Sequence, residues 1–439
     1  MFLLESGVQN ESGNYTFIFV GEREGVKFEE GETYHFKEGE WRPVGSDPFL
    51  FLKELYADQQ KEWQRVKEEF QLPFVDGFIG YIGYEAVQFV EPVLTPHFRK
   101  LAQPLSTPLL YLVRPQLTLI YSHRDFTLHI LSYSNRFEEE VTELTRLLST
   151  PVSPLPLKPA RLSSTPAFLF DRERFYEMVE VGKEHIRAGD IFQIVLSNRM
   201  VVEGEVDKLS FYRLLRATNP SPYLFFLDYG EFAIIGSSPE IMVKKEGSRA
   251  LVRPIAGTRK RGKTLAEDLE MERELRQDEK ERAEHIMLVD LGRNDIGRVC
   301  KGGSVEVVDL MRIERYSHVM HLVSDVVGEL EEGRDQFDLF KATFPAGTVT
   351  GAPKIKAMEL IAKYEGVARN FYSGAVGYFG LDGEMDTAIA IRTALWTPSR
   401  LYFQAGAGIV ADSRPELEYK EINNKLGALL ATLKKLERV

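Results

Sequence analysis

Apolar residues recur at helical spacing in four stretches of the chain. The stretch FLKELYADQQKEWQRVKEEF (51–70) places its apolar residues on a charged background, as an amphipathic helix does. The same spacing predicts helices over 171–190, ending at Gly189, over 265–295 and over 415–439. The stretch 265–295 reads without interruption, so one long helix is predicted there.

Strands are predicted where aromatic and β-branched residues cluster with partial alternation. These stretches are 15–21, 117–133 with a hairpin turn at 122–125, 191–202, 373–380, 387–396 and 400–410. The strands follow one another without regular helical crossovers. The pattern therefore favours an α+β fold, in which large antiparallel β-sheets pack together with helices on the outside, over a doubly wound fold.

The clearest change of composition lies at residues 150–166, TPVSPLPLKPARLSSTP. Its five prolines, mixed with serines and threonines, cannot sustain a helix or a central strand. We interpret this segment as a linker. It divides the chain into a β-rich N-terminal domain, 1–149, and a larger domain, 167–439.

Composition excludes several classes of protein. The 439 residues carry 55 Lys and Arg against 66 Asp and Glu, for a net charge of −11, and 44% of them are hydrophobic. This balance excludes wholesale disorder, collagen and coiled coil. The acidic excess argues against a broad phosphate-binding surface, so no nucleic-acid partner is expected.

The sequence also predicts a cytoplasmic protein without a membrane partner. Glu5 interrupts the apolar stretch that a signal peptide needs, and no uncharged apolar run approaches the ~18 residues of a membrane span. Cys300 is the sole cysteine, so neither an internal disulfide nor a zinc cluster of several thiolates can form. We expect Cys300 to be a buried structural thiol.

Two acidic pairs are candidates for a metal site. Glu281 and Glu284 are spaced i,i+3 on a predicted helix, and Glu418 and Glu421 repeat that spacing on the terminal helix, with Lys425 one turn further on. Two such faces opposed across a cleft would offer carboxylates to a hard cation such as Mg²⁺, which would chelate an anionic substrate. The alternative is that both pairs are solvated helix faces.

A carboxylate-binding site is the second candidate. Gly406 and Gly408 would let backbone N–H groups approach an anion closely. Arg392 lies within the apolar pattern IAIRTAL, where a charge needs a partner. A substrate carboxylate would fit the guanidinium fork, and the alternative is an internal salt bridge.

Ten segments, in this order along the chain, resemble the chorismate-utilising enzymes and most closely the large subunits of the anthranilate synthases. They cover essentially all of 167–439, so the resemblance is far more specific than any single motif. The segments are GDIFQIVLS (189–197), NPSPYLFFL (219–227), IIGSSPE (234–240), RPIAGTRKRG (253–262), AEHIMLVDLGRND (283–295), RYSHVMH (315–321), FPAGTVTGAPKIKAMEL (344–360), MDTAIAIRTAL (385–395), QAGAGIVADS (404–413) and EYKEINNK (418–425).

The resemblance implies how a substrate would be held. Mg²⁺, the implied cofactor, would be bound by Glu284 and Glu421 with Glu281 and Glu418 in support, and would hold the ring carboxylate of chorismate. The implied substrate-binding residues are Gly257, Thr258, Tyr372, Arg392, Gly406, Ala407, Gly408 and Lys425. The implied acid for the departing C4 hydroxyl is Glu240, which must be kept protonated, and His321 would assist the later loss of pyruvate.

Two positions distinguish reactions within this group. Family members that add water have a lysine base at the position of Gln193. Ammonia already carries a nucleophilic lone pair, so the neutral amide of Gln193 points to an amination. Aminodeoxychorismate synthases, the runner-up, typically carry an attacking lysine where this chain has Ala256. The resemblance therefore implies amination at C2 and elimination of pyruvate, which give anthranilate; a non-catalytic, tryptophan-sensing homologue is the remote alternative.

The resemblance also implies a regulator and a partner. The segments FLLES (2–6) and NPSPYL (219–224) are similar to a tryptophan pocket, and they place Ser6, Pro222, Tyr223 and Leu224 in it. The alternative is that these residues only pack the N-terminal sheet. The family obtains ammonia from a glutamine amidotransferase subunit, so a hetero-oligomer is expected.

Overall fold

The computed structural model describes residues 1–7, 14–57, 59–316 and 319–439. Within these ranges two 12-stranded sheets pack against each other, with helices outside them, and neighbouring strands pair antiparallel. The predicted α+β class with large antiparallel sheets is thereby confirmed.

The strands are β1 Phe2–Glu5, β2 Tyr15–Val20, β3 Glu24–Glu29, β4 Glu32–Lys37, β5 Glu40–Gly45, β6 Gly77–Ile82, β7 Leu110–Arg114, β8 Leu117–Ser122, β9 Leu128–Ser132, β10 Arg161–Leu162, β11 Ala167–Phe168, β12 Gln193–Glu205, β13 Tyr223–Asp228, β14 Ala233–Ser238, β15 Ile241–Glu246, β16 Arg249–Val252, β17 Ile255–Lys260, β18 Glu306–Arg315, β19 Val319–Glu329, β20 Gly351–Ala352, β21 Ala375–Gly380, β22 Met385–Ile389, β23 Thr393–Thr397 and β24 Arg400–Ile409. The helices are α1 Pro48–Ala57, α2 Gln60–Phe70, α3 Thr95–Phe98, α4 Phe137–Leu148, α5 Arg172–Arg187, α6 Lys208–Thr218, α7 Leu265–Gln277, α8 Glu279–Gly297, α9 Gln336–Thr343, α10 Lys354–Glu365 and α11 Pro415–Leu436. Short 3₁₀ turns span Tyr84–Phe89, Pro92–Leu94 and Gly347–Val349.

Each sheet combines strands from the two ends of the chain. The first sheet has the order β10-β12-β24-β23-β14-β13-β1-β2-β8-β9, with β11 and β20 also paired to β12. The second has the order β17-β19-β16-β15-β22-β21-β6-β7-β3-β4-β5, with β18 also paired to β19. The division into domains 1–149 and 167–439 stays a prediction. The pairing adds that strands from both sides of 150–166 lie in the same sheets.

Strands of the first sheet are buried on both faces. Along β13, Phe225 and Leu227 face the core between the two sheets, whereas Leu224 and Phe226 face a second core beneath helices α5, α6 and α11. Successive side chains of a strand point to opposite faces, so a strand covered on both sides reads as a continuous apolar run. That is why YLFFL carries no polar alternation.

The segment predicted as one helix over 265–295 forms two helices. Asp278 ends α7 in an extended conformation and begins α8, where its side chain accepts a hydrogen bond from the backbone N–H of Glu281. An aspartate at this position competes with the continuing helix for backbone donors and caps a new one. The break separates α7 from α8, the helix whose first two turns carry Glu281 and Glu284. The helix predicted over 51–70 is likewise divided into α1 and α2, and Asp58 between them lies outside the described residues.

Cys300 is buried, as expected of a structural thiol, and burial raises its thiol pKa to about 11. Among the described residues no helix combines the length and the apolar composition needed to cross a membrane.

Candidate active site

The candidate site lies where the chain passes from the second sheet to the first. The strand predicted over 387–396 is two strands: β22 ends at Ile389 in the second sheet and β23 begins at Thr393 in the first. Between them Arg392 adopts a left-handed backbone with φ 52°, which a continuous strand does not allow. The crossover therefore places a charged side chain between the sheets rather than on one of them.

Arg392 has no ion-pair partner among the described residues. Tyr372, Glu240 and Glu421 lie close enough to stabilise its charge, yet burial outweighs them and lowers the pKa of the guanidinium. The alternative prediction, an internal salt bridge at Arg392, is therefore wrong for the described residues. A desolvated guanidinium with free donors is suited to an anionic ligand.

Glu240 faces the same space from the turn between β14 and β15. Its side chain is buried, and its backbone carbonyl accepts a hydrogen bond from the N–H of Ile389 at 3.0 Å, which ties it to the start of the crossover. Burial raises the pKa of the carboxyl to about 7, against the lowering effect of Arg392 and Lys425. A carboxyl in this state holds its proton near neutrality, as a general acid must.

Gln193 begins β12 and reaches the acidic face of α8. Its amide Nε2 donates to Oε1 of Glu284 at 2.9 Å. A Cβ atom built on Gly408 would lie 2.7 Å from the same Nε2, so any side chain at this position of β24 would displace the amide of Gln193. The amide of Gln193 thus lies between the carboxylate of Glu284 on α8 and the backbone of Gly408 on β24, where no side chain intervenes.

Thr258, Gly257 and His321 meet across the β17–β19 pair. The register opposes Thr258 to His321, and the bulge between Ala256 and Thr258 is at Gly257, whose φ is +75°. Nδ1 of His321 lies 3.0 Å from the hydroxyl of Thr258 and 3.2 Å from the carbonyl oxygen of Gly257. The carbonyl is only an acceptor, so the assigned tautomer carries its proton on Nδ1 and presents Nε2 with a lone pair. Burial lowers the pKa of His321, which favours this neutral form.

Gly406 and Tyr372 form the wall beside Arg392. A Cβ atom on Gly406 would come within 2.8 Å of the Tyr372 hydroxyl and 2.9 Å of Val195 Cγ1. Ala407, between the two glycines, turns its side chain into the helix-covered core. Only the backbone of Ala407 can therefore face a ligand on the side of Gly406 and Gly408.

The terminal helix contributes the other acidic pair. Lys425 on α11 donates to the carbonyl of Gly406 at 2.7 Å and pairs with Glu421 at 2.6 Å. Burial raises the pKa of Glu418, and the charge of Glu421 adds to this effect. The charges of Asp412, Glu418 and Glu284 raise the pKa of Lys280 against the opposing effect of burial, which places the starts of α8 and α11 close to each other.

Burial and the charge of Glu284 likewise raise the pKa of Glu281, which accepts a hydrogen bond from Arg259 at 3.3 Å. The acidic pairs on α8 and α11 offer carboxylate oxygens, the ligands that a hard divalent cation prefers. Such a cation would neutralise the repulsion between these carboxylates. In the described part of the chain, no three metal-ligating side chains already converge on one point.

The four residues predicted for tryptophan line a separate cavity of about 420 Å³. Ser6, Pro222, Tyr223 and Leu224 share it with side chains from the second sheet. The hydroxyl of Tyr223 crosses the cavity and donates to Oδ1 of Asp386 on β22 at 3.0 Å. This cavity is therefore enclosed by both sheets, and it is built from residues that are more than 200 positions apart in the sequence.

Sequence reasoning missed two contributors. Thr348, in the turn Gly347–Val349, lies beside Glu240. Arg259 bridges two carboxylates, donating to Glu281 at 3.3 Å and to Asp278 at 2.6 Å. Both residues lie inside segments that carry the resemblance, FPAGTVTGAPK and RPIAGTRKRG. Membership of these segments was the one sequence feature that could have marked them as site residues. Ser317 and His318 of the segment RYSHVMH lie outside the described residues.

Comparisons with known proteins show which family and which fold this chain shares. A family model described as chorismate binding enzyme matches residues 2–431. The chain is 47% identical over 403 residues to anthranilate synthase component 1 of Acinetobacter calcoaceticus, covering 88% of this chain and 79% of that protein. It is 43% identical over 452 residues to the Aquifex aeolicus (strain VF5) protein of the same name, covering 98% and 88%. The crystal structure of anthranilate synthase component I from Streptococcus pneumoniae TIGR4 superposes with a TM-score of 0.83 at 36% identity, covering 96% of this chain and 93% of that one.

Proposed function

The chain belongs to the chorismate-binding enzyme family, and from this premise we propose that it makes anthranilate from chorismate and ammonia. The observation that carries the proposal is the neutral amide of Gln193, held by Glu284 beside the open backbone of Gly408. An amide can orient ammonia, which needs no deprotonation before it attacks. Ala256 lies on β17 two residues before Thr258 and cannot act as a covalent nucleophile, which disfavours the aminodeoxychorismate alternative.

Arg392 and its neighbours would hold the enolpyruvyl carboxylate. The guanidinium has free donors, the Tyr372 hydroxyl stands beside it, and Gly406 leaves the backbone accessible. Lys425 adds positive charge through its contact with the Gly406 carbonyl. Gly257 and Thr258 would contact the ring. Holding both ends of the substrate fixes the ring carbon that faces the nucleophile.

Magnesium is proposed as the cofactor. Glu284 and Glu421 would hold the ion, with Glu281 and Glu418 in support, and the bound ion would supply positive charge to the ring carboxylate of chorismate. The raised pKa values of Glu281 and Glu418 support this assignment, because a cation would offset the desolvation cost and the like-charge repulsion that raise them. Asp412, paired with Lys280 at 3.1 Å, lies outside this set.

The first step is an amination with loss of water. The ammonia lone pair forms a bond to C2, the two ring double bonds each move one position, and the C4–O bond breaks. Glu240 gives its proton to the departing hydroxyl, which leaves as water. The protonated state that this step requires is the one that burial favours in this carboxyl.

The second step is the loss of pyruvate. A base takes the proton from C2, the C–H electron pair forms the C2–C3 double bond, and the ring becomes aromatic as the C3–O bond breaks and pyruvate departs as its enolate, which then takes up a proton to give pyruvate. His321 would assist through Nε2, since Thr258 and the Gly257 carbonyl already hold Nδ1. A neutral imidazole is the form that can accept a proton.

Two further parts of the proposal concern regulation and supply. The cavity lined by Ser6, Pro222, Tyr223 and Leu224 is large enough for an amino acid with an aromatic side chain, so we assign it to L-tryptophan as a feedback inhibitor. Ammonia would come from a separate glutamine amidotransferase subunit in the cytoplasm, and free ammonium at alkaline pH would replace that subunit in an assay.

The test follows anthranilate fluorescence and pyruvate release from chorismate, Mg²⁺ and excess ammonium at alkaline pH. We expect both products together, and we expect EDTA to abolish them. The matched control is Glu240→Gln, which keeps the side-chain shape but has no acidic proton. Consumption of chorismate without pyruvate would instead assign an aminodeoxychorismate or isochorismate synthase, and the mass of the product would distinguish these two.

A further inference from the structure

Arg369 is a fully buried cation outside the set of residues described above. It lies between α10 and β21 and is only 1% exposed. Its guanidinium makes a two-pronged ion pair with Glu365, with contacts of 2.9 and 2.6 Å. The remaining donors reach the carbonyl oxygens of Val195 at 2.7 Å and Val349 at 2.8 Å, and the hydroxyl of Ser373 at 3.4 Å.

These contacts reach three walls of the candidate site. Val195 is on β12, two residues after Gln193, and its side chain touches the Cβ position of Gly406. Val349 ends the 3₁₀ turn that carries Thr348 beside Glu240. The guanidinium also lies 5.5 Å from the ring centroid of Tyr372, whose hydroxyl faces Gly406. One side chain therefore connects the strand that carries Gln193, the turn that lies beside Glu240 and the ring of Tyr372 beside the carboxylate-binding wall.

The segment that carries Arg369 is itself fixed by two more buried charges. The carboxylate of Glu85 accepts hydrogen bonds from the backbone N–H groups of Arg369 at 2.7 Å and Asn370 at 2.9 Å. Arg199 donates to the carbonyl oxygens of Ala368 at 2.6 Å and Arg369 at 3.1 Å. Asn370 and Ser373 have left-handed backbones, with φ of 56° and 63°. A backbone in this sparsely populated conformation persists only where its surroundings determine it.

We propose that Arg369 is a positioning residue for the amination, because it sets the distance between the strand of Gln193, the turn of Thr348 and the ring of Tyr372. This inference rests on the proposed function. The rigid fork of a guanidinium can satisfy a carboxylate and two separate carbonyl oxygens at fixed angles. A lysine keeps the charge, but it offers its donors from a single nitrogen and cannot make all of these contacts.

The decisive variant is Arg369→Lys, and Arg114→Lys is its matched control. Arg114, whose side chain is 11% exposed, also lies between two carboxylates, Asp76 and Glu24, but it is on β7 in the second sheet and belongs to none of the site contacts described above. We expect both variants to lower the melting temperature. Only Arg369→Lys should lower kcat/KM for chorismate on the order of 10- to 100-fold, with a higher KM and a lower kcat, because misplacement of about 1 Å has effects of this size.

Two results with a folded Arg369→Lys variant would overturn the proposal. The first is unchanged kcat and KM, and the second is a loss of kcat/KM no larger than that of Arg114→Lys. If Arg369→Lys does not fold, the double variant Arg369→Met/Glu365→Gln decides, since it removes both charges and leaves no unpaired ion. It should fold and show the same kinetic loss, and failure of both variants to fold would make Arg369 a residue for stability alone.

Failure of the proposed function gives a different pattern. If the wild-type chain forms no anthranilate, the function proposed above is wrong, whatever the variants do. The dissociation constant of chorismate, measured by calorimetry, then replaces turnover as the readout. A weaker affinity in Arg369→Lys than in Arg114→Lys would still support the positioning role, and equal affinities, or no binding by the wild type, would reject it.

Discussion

Replacing Glu240 by glutamine should abolish turnover and stabilise the fold at the same time. Burial raises the pKa of Glu240 to about 7 from an ordinary 4.5. The folded chain therefore holds a proton between these pH values that the unfolded chain releases, so the free energy of unfolding falls as the pH rises from about 4.5 to 7. At 1.36 kcal/mol per pKa unit, the gap corresponds to about 3 kcal/mol lost by the wild type above pH ~7. Glutamine does not ionise and does not incur this loss.

The assay is urea unfolding of wild type and Glu240→Gln at a series of pH values, without Mg²⁺ or chorismate. The variant should be more stable by about 3 kcal/mol at pH ~8, and its advantage should shrink below about 1 kcal/mol near pH ~5. Glu332→Gln, on an exposed turn, is the control and should show no such dependence. An advantage that is absent at pH ~8, or that does not change with pH, would refute the argument from burial. Retained turnover would refute the role of Glu240 as acid.

Three further outcomes follow from the site. Gln193→Ala should lower the rate of ammonium-dependent anthranilate formation by roughly 10²-fold, because ammonia loses its orienting group; a rate within about twofold of wild type would remove Gln193 from the mechanism. Gly406→Ala should raise the KM for chorismate at least tenfold, since its Cβ would meet the Tyr372 hydroxyl at 2.8 Å, whereas Gly297→Ala, with nothing within 4 Å, should leave KM unchanged. L-Tryptophan should bind the wild-type chain in calorimetry and bind Tyr223→Ala weakly or not at all; absence of binding to the wild type would remove the regulatory proposal.

The sequence was sufficient for the fold class because both cores leave a local signal. Strands such as YLFFL are apolar on both faces, and helices such as α11 are apolar on one, so periodicity alone separates them. It was insufficient where a strand changes sheets. The pattern TAIAIRTALW is apolar apart from Arg392 and two threonines, and the crossover at Arg392 depends on a single left-handed residue that periodicity does not report. Periodicity also failed to predict the break between α7 and α8 at Asp278, because aspartate occurs both at helix ends and on helix surfaces.

Spacing and pattern alone offered the two acidic pairs, Arg392 and the two glycines as candidates, and the resemblance was needed to favour them over the alternatives and to add the remaining site residues. Spacing on one helix places Glu281 near Glu284, but it cannot show that α11 starts beside α8. The Arg369 network had no signal at all, since Glu85 and Arg369 are 284 positions apart and neither belongs to a periodic pattern. Such contacts arise from sheet pairing, which a single sequence does not specify.

The crossover at Arg392 also determines when this protein can fold during its synthesis. The strands on either side of it, β21 to β24, are the last four to leave the ribosome, yet they lie in the interior of both sheets. Before they emerge, the second sheet consists of two separate groups, β3 to β7 on one side and β15 to β19 on the other, and β12 has no partner linking it to β14. Nascent chains therefore expose several unpaired strand edges until residue 409 is made, and such edges invite pairing between chains. Production at lower temperature or with chaperones should thus improve the yield of folded protein more than substitutions on the mature surface.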